Sequence, residues 1–336
     1  MTTISPTARL AHFPAAFFAM VMGLSGLAIG WEKAQQMLAL ELPFVPWLIG
    51  LSTLVFLVLA GLYAAKLAWH RDAVLAELRH PVRLSFLPTL SISLLLLSVA
   101  FLPLSPALSH GLWLVGTPAQ LAFTLFIVGA WMHDEHLQLQ HLNPAWFIPA
   151  VGNVLVPIAG VPLGHVEVSW FFFSTGVLLW SVLLTIVFYR VLFHHPLDER
   201  LMPTLFILIA PPAVGFIAYL RLTGGLDIFA QALYFAGLFL TLLLLSQAGR
   251  FLRLGFFLSW WAYSFPLAAI SIATMAMHEQ TGVQVFRYLG MGLLTMVSGI
   301  VVLLAAATAA AVWNRRICVP EPVTAISINP NGGLPQ

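Results

Sequence analysis

Ten apolar runs follow one another along the chain, each close to the roughly 20 residues that a helix needs to cross a hydrocarbon core about 30 Å thick. Their approximate limits are Phe13–Trp31, Phe44–Trp69, Leu84–Leu104, Leu112–Met132, Trp146–Leu163, Val168–Phe193, Met202–Arg221, Leu226–Gln247, Phe256–Met277 and Phe286–Trp313. Lipid offers backbone groups no water, so such runs fold as helices that satisfy their own hydrogen bonds. Composition agrees: 60% of the 336 residues are hydrophobic and 8% are charged, whereas a soluble domain carries about a quarter charged residues. The expected fold is an all-α integral membrane protein. Arg9 is the only basic residue before the first run, and no persuasive cleavage site follows, so that run is read as a span rather than a signal peptide.

Orientation follows from the basic residues, which concentrate in cytoplasmic loops. With the N-terminus inside, 11 of the 14 lie on the inner side: Arg9, Lys66, Arg71, Arg79, Arg83, Arg190, Arg200, Arg250, Arg253, Arg315 and Arg316. Lys33, Arg221 and Arg287 fall outside. One span more or fewer would scramble this bias, so ten spans with both ends cytoplasmic are expected. Residues 1–12 then form a cytoplasmic segment, 13–313 the membrane domain, and 314–336 a cytoplasmic tail expected to be disordered.

Prolines alternate with the spans. Pro14, Pro88, Pro149, Pro157, Pro211, Pro212 and Pro266 fall in odd runs, while even runs carry theirs near the start, at Pro46 and Pro118, or have none. Proline breaks the helical ladder and is tolerated in a membrane where protein or water satisfies the freed groups. Odd helices are therefore the expected kinked, cavity-lining layer and even helices the lipid-facing one, an arrangement that five hairpins around an axis would satisfy.

The distribution of chemistry-bearing residues is restrictive. All 12 acidic residues lie in loops or at span ends, and no Lys or Arg lies mid-span, whereas proton pumps and coupled carriers place ionisable groups inside the bilayer. The 11 histidines also sit at span ends or in loops, which disfavours haem ligation across a bundle. The cluster His133-Asp134-Glu135-His136, with His141 beyond, is the best metal candidate, but it reads more simply as a solvated loop. A single cysteine, Cys318, excludes an internal disulfide and Cys-based clusters. Gly-x-Ser-x-Gly, His-Glu-x-x-His and Walker sequences are absent. A net charge of +2 gives nucleic acid no basic face. No metal or cofactor is expected.

Positive candidates lie on the odd runs. Ser259-Trp260-Trp261-Ala262-Tyr263-Ser264-Phe265-Pro266 sets a hydroxyl, a bulky ring and a helix breaker side by side. A phenylalanine in a narrow neutral conduit acts as a plug or dewetting gate. Phe13, Phe86, Phe147 and Phe206 stand near prolines in the same way, and Ser91, Ser93, Asn153, Ser264, Ser271 and Thr274 are small polar residues available to line a path. Gly26-x-x-x-Gly30 and Gly160-x-x-x-Gly164 permit close helix contact.

Several strings resemble one family. His12-Phe13-Pro14 with Gly23 and Gly26, Asn143-Pro144-Ala145-Trp146-Phe147-Ile148-Pro149-x-x-Gly152-Asn153, Pro211-Pro212-Ala213-Val214-Gly215 and Trp260-Trp261-Ala262-Tyr263-Ser264-Phe265-Pro266 look like the TehA/SLAC1/Mae1 group. That group comprises bacterial tellurite-resistance proteins, plant slow anion channels and fungal dicarboxylate transporters. The similarity runs from about residue 10 to 315. The resemblance implies ten helices as five hairpins around a pore, kinked odd helices inside, and a homotrimer with one pore per protomer. It implies a gated passive channel of the bacterial inner membrane for small monovalent anions such as chloride and nitrate, with the gate carried over onto Phe265. The long phosphorylated tails of plant members are missing. A proton-coupled carrier for dicarboxylates or tellurite-like oxyanions is the alternative, and a membrane-bound metal or redox enzyme a weaker one. Proline by itself frees a carbonyl, an acceptor that favours cations, so anion preference rests mainly on the resemblance.

Overall fold

The computed structural model describes residues 6–318 except His136 and His195. The expected tail therefore lies, beyond Cys318, outside the described residues. Those described are helices and connecting turns, without strands. Ten long helices are numbered here α1 (Ala19–Leu38), α2 (Val45–Trp69), α3 (Thr89–Phe101), α4 (Pro106–His133), α5 (Phe147–Gly160), α6 (Val166–Phe193), α7 (Ala210–Thr223), α8 (Ile228–Leu245), α9 (Ser264–Thr281) and α10 (Gln284–Trp313). Eight of them, some counted with the turn before, are long and apolar enough to cross a membrane; α5, 14 residues long, and α9 fall outside that set.

Each odd helix begins differently from its even partner. A 3₁₀ segment precedes it: Ala15–Phe18, Arg83–Phe86, Pro144–Trp146, Met202–Ile209 and Leu258–Tyr263. The prolines supply the cause. A proline N has no hydrogen, so the carbonyl four residues earlier loses its α-helical donor, and the residue three ahead can serve it instead. Pro14 leaves the Leu10 carbonyl to the Phe13 N–H at 3.1 Å, and Pro88 leaves the Leu84 carbonyl to the Leu87 N–H at 3.2 Å. Pro211 likewise leaves the Ile207 carbonyl to the Ala210 N–H. Most of these prolines thus sit at the joint where a 3₁₀ entry becomes an α-helix, where a missing N–H costs nothing. The exceptions are Pro157, inside α5, and Pro14, which precedes the first entry.

Burial separates the two sets. In α1, α3 and α7 with their entries, 67%, 72% and 67% of the most apolar window is buried, against 17–39% in α2, α4, α6, α8 and α10. Every residue of α5 is buried, as is most of α9. The inner helices pack in the order α1–α3–α5–α7–α9 and back to α1, closing a ring, and each packs against the even helix that follows it. The five 3₁₀ entries close a second ring in the same order. Large apolar side chains such as Trp47, Leu125, Leu178, Phe239 and Val302 project outward from the even helices, the arrangement a lipid solvent rewards.

Polar side chains tie the layers together. Ser25 and Ser52 share a hydrogen bond of 2.6 Å between α1 and α2, Ser98 and Ser109 one of 3.2 Å between α3 and α4, and the Tyr234 hydroxyl donates to Thr274 at 3.3 Å between α8 and α9. Indole N–H groups of Trp31 and Trp261 donate to Ser298 and Thr308 of α10. In an apolar surrounding such bonds hold helices together where the hydrophobic effect does not.

Candidate permeation site

The ring encloses a cavity of about 380 Å³ at the C-terminal ends of the inner helices. Its floor takes one aliphatic residue from each of them: Ile29 of α1, Val99 of α3, Ile158 of α5, Ile217 of α7 and Ile272 of α9. Its rim is charged, with Glu32 and Lys33 from α1, Arg221 from α7 and Glu279 from α9. Lys33 and Glu279 form an ion pair, and the Gln36 amide donates to Glu32 at 3.0 Å. Arg221 makes no contact ion pair among the described residues, and its guanidinium acts on Glu32 through space.

Sequence reasoning missed this site because it ended the first span at Trp31 and the ninth at Met277. The helices run on to Leu38 and Thr281, which carries residues expected in loops onto the last turns of the inner ring. α1 stops at Ala39, whose left-handed φ of 51° terminates the ladder.

Phe265 lies in the first turn of α9, on the 3₁₀ side of this floor, and is 5% exposed. Seven residues separate it from Ile272, about 10 Å along the helix. Gly26 of α1 faces it: a Cβ there would come within 3.2 Å of the Phe265 ring and 3.1 Å of the Ala268 methyl. Gly26 therefore admits the ring where α1 and α9 cross.

The other expected residues scatter. Phe13 is buried and stacks on Phe17 with centroids 4.7 Å apart, while Phe147 is fully buried and Phe86 half-buried. Phe206 meets Tyr263 edge-on at 4.7 Å and Phe251 at 5.1 Å, joining the entries of α7 and α9. Among the described residues no ring contact joins these phenylalanines to Phe265. Ser91 and Asn153 are brought together, but toward α4. The Ser91 hydroxyl donates to Gln120 Oε1 at 2.7 Å, the Gln120 amide to the Pro149 carbonyl at 2.8 Å, and the Asn153 amide to that same carbonyl at 2.7 Å and to Thr124 at 3.0 Å. Gly152 leaves the room, since a Cβ there would lie 2.3 Å from the Gln120 amide. The Ser271 and Thr274 hydroxyls donate to the Ala268 and Ile270 carbonyls of their own helix and Ser93 to the Thr89 carbonyl of its own, while Ser264 donates back to the Trp261 carbonyl of the entry.

A buried ion pair stands at the opposite end. Lys66 Nζ lies 2.6 Å from Glu77 Oε2, with the two side chains 3% and 4% exposed. Glu77 Oε1 accepts from the Ala15 N–H at 2.8 Å, Tyr63 donates to Oε2 at 3.2 Å, and Lys66 also donates to the Phe13 carbonyl at 2.8 Å. The short helix Arg71–Arg79 and the end of α2 are thereby clamped to the entry of α1. Among the described residues no three His, Cys, Asp or Glu side chains converge as metal ligands; His136 of the sequence cluster lies outside them.

Comparison with known proteins decides the family. A family model described as SLAC1, voltage-dependent anion channel, matches residues 12–309. The chain belongs to the SLAC1 family. Among its relatives, the S-type anion channel SLAH3 of Arabidopsis thaliana is 30% identical over 273 residues, covering 79% of this chain and 43% of the plant protein. An uncharacterised transporter of Methanocaldococcus jannaschii is 28% identical, covering 84% of this chain and 90% of its own. The tellurite resistance protein TehA homolog of Haemophilus influenzae is 25% identical, covering 82% and 85%. Each of these relatives covers about four fifths of the chain.

Proposed function

We propose that this SLAC1-family protein is a gated passive channel for small monovalent anions such as chloride and nitrate, with ten crossings as five hairpins around one pore. In this reading both ends are cytoplasmic, the 3₁₀ ring is the inner mouth, the charged cavity is the outer mouth, and Phe265 occludes the path between them. The bacterial inner membrane is the proposed location and a homotrimer with one pore per protomer the proposed assembly. Phe13, Phe86, Phe147 and Phe206 support the inner helices, and Ser91 and Asn153 serve the α3–α4–α5 junction.

One observation carries the preference for anions. Three of the carbonyls that prolines deprive of an α-helical donor, those of Leu10, Leu84 and Ile207, accept instead from the N–H three residues ahead. The side-chain polar atoms left buried without partners among the described residues can, apart from one, donate. At the 3₁₀ entries these are the hydroxyls of Ser85, Ser259 and Tyr263 and the indole N–H groups of Trp146 and Trp260, while Asn153 Oδ1 is the acceptor left over. A conduit whose spare side-chain valence can donate and carries no charge offers a weakly hydrated anion partial solvation, and its indole N–H groups offer a cation nothing.

The test is anion current through purified protein in planar bilayers, wild type against Phe265→Ala, in chloride and nitrate. Currents that follow the electrochemical gradient and grow in the variant are expected. Unchanged flux through a normally folded variant would remove Phe265 as the occluding residue. Glu32, half-buried in the outer cavity, favours a second reading: a proton-coupled carrier of dicarboxylates or tellurite-like oxyanions. That reading requires silence in both proteins and malate flux only under a pH gradient.

A further inference from the structure

A second cavity, about 460 Å³, opens on the 3₁₀ side of the molecule. Three arginines from three separate segments meet there: Arg83 at the start of the α3 entry, Arg200 in the connection before the α7 entry, and Arg316 beyond α10. The single acid in its lining, Glu77, is engaged on both oxygens by Lys66, Tyr63 and the Ala15 N–H. Its charge is already matched by Lys66, so Glu77 does not cancel the guanidinium groups beside it. Phe13, Phe17 and Leu258 supply an apolar floor, and a low-dielectric wall concentrates such a field. Arg200 is further oriented by the Phe257 ring, 5.8 Å away.

We infer that this cavity binds a phosphate-bearing anion carrying two or more negative charges. Guanidinium forks match the geometry of phosphate oxygens and pair with them bidentately. Three such groups exceed what a halide or nitrate uses, and no residue of α5, α7 or their entries lines the cavity, which lies on the α1, α3 and α9 side of the entry ring. The ligand would rest against the entry of α1, the helix whose Gly26 faces Phe265. Both a soluble phosphoester and the headgroup of an anionic lipid present this chemistry.

The experiment is calorimetric titration of the full-length protein with pyrophosphate at constant ionic strength. Wild type, Arg200→Gln/Arg316→Gln and Arg83→Gln/Arg200→Gln/Arg316→Gln would be compared, each checked for a single symmetric elution peak. Arg200 and Arg316 are exposed, so the double variant is expected to fold. Saturable binding that weakens about tenfold in the double variant and further in the triple one is expected. Binding unchanged in the double variant, or displaced equally well by chloride, would overturn the inference. Repeating the titration in nanodiscs separates the sources: competition by phosphatidylglycerol but not phosphatidylcholine identifies a lipid headgroup, and binding indifferent to lipid identifies a soluble phosphoester.

Discussion

Glu77→Gln isolates the clamp on α1. Glu77 and Lys66 are 4% and 3% exposed and in contact at 2.6 Å, so removing the anion leaves an ammonium buried without its counter-charge. Breaking such a pair costs about 3–5 kcal/mol. Glutamine can still accept from the Ala15 N–H, and Lys66 keeps the Phe13 carbonyl, which sets the expected loss at the low end, about 3 kcal/mol. Lys66→Met leaves a buried carboxylate with the Ala15 N–H and the Tyr63 hydroxyl alone and should cost more. In Lys66→Met/Glu77→Leu both charges are gone, and the main residual penalty is the orphaned Ala15 N–H, about 1–3 kcal/mol. The double variant should therefore be more stable than Lys66→Met. Thermal unfolding of detergent-solubilised protein reads this directly. At about 2–4 °C per kcal/mol, Glu77→Gln should lower the midpoint by roughly 6 °C or more. Midpoints within a degree of wild type, or a double variant whose loss equals the sum of its singles, would refute the reasoning.

Other perturbations address the rest of the frame. Gln120→Leu removes one of two partners of the Ser91 hydroxyl and one of those of the Pro149 carbonyl; a loss of about 1–3 kcal/mol is expected, with ion preference in bilayer recordings unchanged. Arg221→Gln should lower anion current at low salt and Glu32→Gln raise it, both effects shrinking in molar salt as the Debye length falls to about 3 Å; same-direction changes would separate the rim charges from anion entry. Gly26→Ala brings a methyl to 3.2 Å from the Phe265 ring and should change current without loss of folded protein, measured by recordings beside an elution profile.

The membrane class and the inner and outer sets of helices were legible in the sequence because both depend on strong local signals. Apolar runs of spanning length have few alternative fates, and proline acts on its own carbonyl four residues back whatever surrounds it. Helix ends were not legible. Glu32, Lys33 and Glu279 read as loop residues by polarity, yet the ladder continues through them because the cavity lets charged side chains reach water from within a helix. The fate of Ser91 and Asn153 was equally hidden. Hydroxyl and amide side chains on an inner helix suggest a lined path, but Gln120 and Thr124 of α4 engage Ser91 and Asn153 in turn, and nothing local to either announces a partner 29 residues away. Ring membership also depends on distant packing, which is why the aliphatic floor from Ile29 to Ile272 escaped a reading that searched for aromatic and polar residues.

The 3₁₀ entries make one further expectation quantitative. Proline in the first turn of a helix is pre-shaped for it, so its presence after four of the five entries is a device for stopping the helix from growing backward as much as a bend. Pro266→Ala restores an N–H able to donate to the Ala262 carbonyl, and the α-helix can then extend into Leu258–Tyr263. Conversion from about 2.0 to 1.5 Å of rise per residue over those six residues shortens the entry by about 3 Å and turns its side chains. Tyr263 cannot then hold both its 4.7 Å contact with Phe206 and its 5.8 Å contact with Trp260. The entry ring would open between α7 and α9, beside Phe265. Stability should change by less than about 1 kcal/mol, because alanine is a good helix former and the proline gain lies in the unfolded chain. Current and indole fluorescence should both change. A Pro266→Ala protein with wild-type fluorescence and current would mean that tertiary packing, not the missing N–H, holds the entry in its 3₁₀ form.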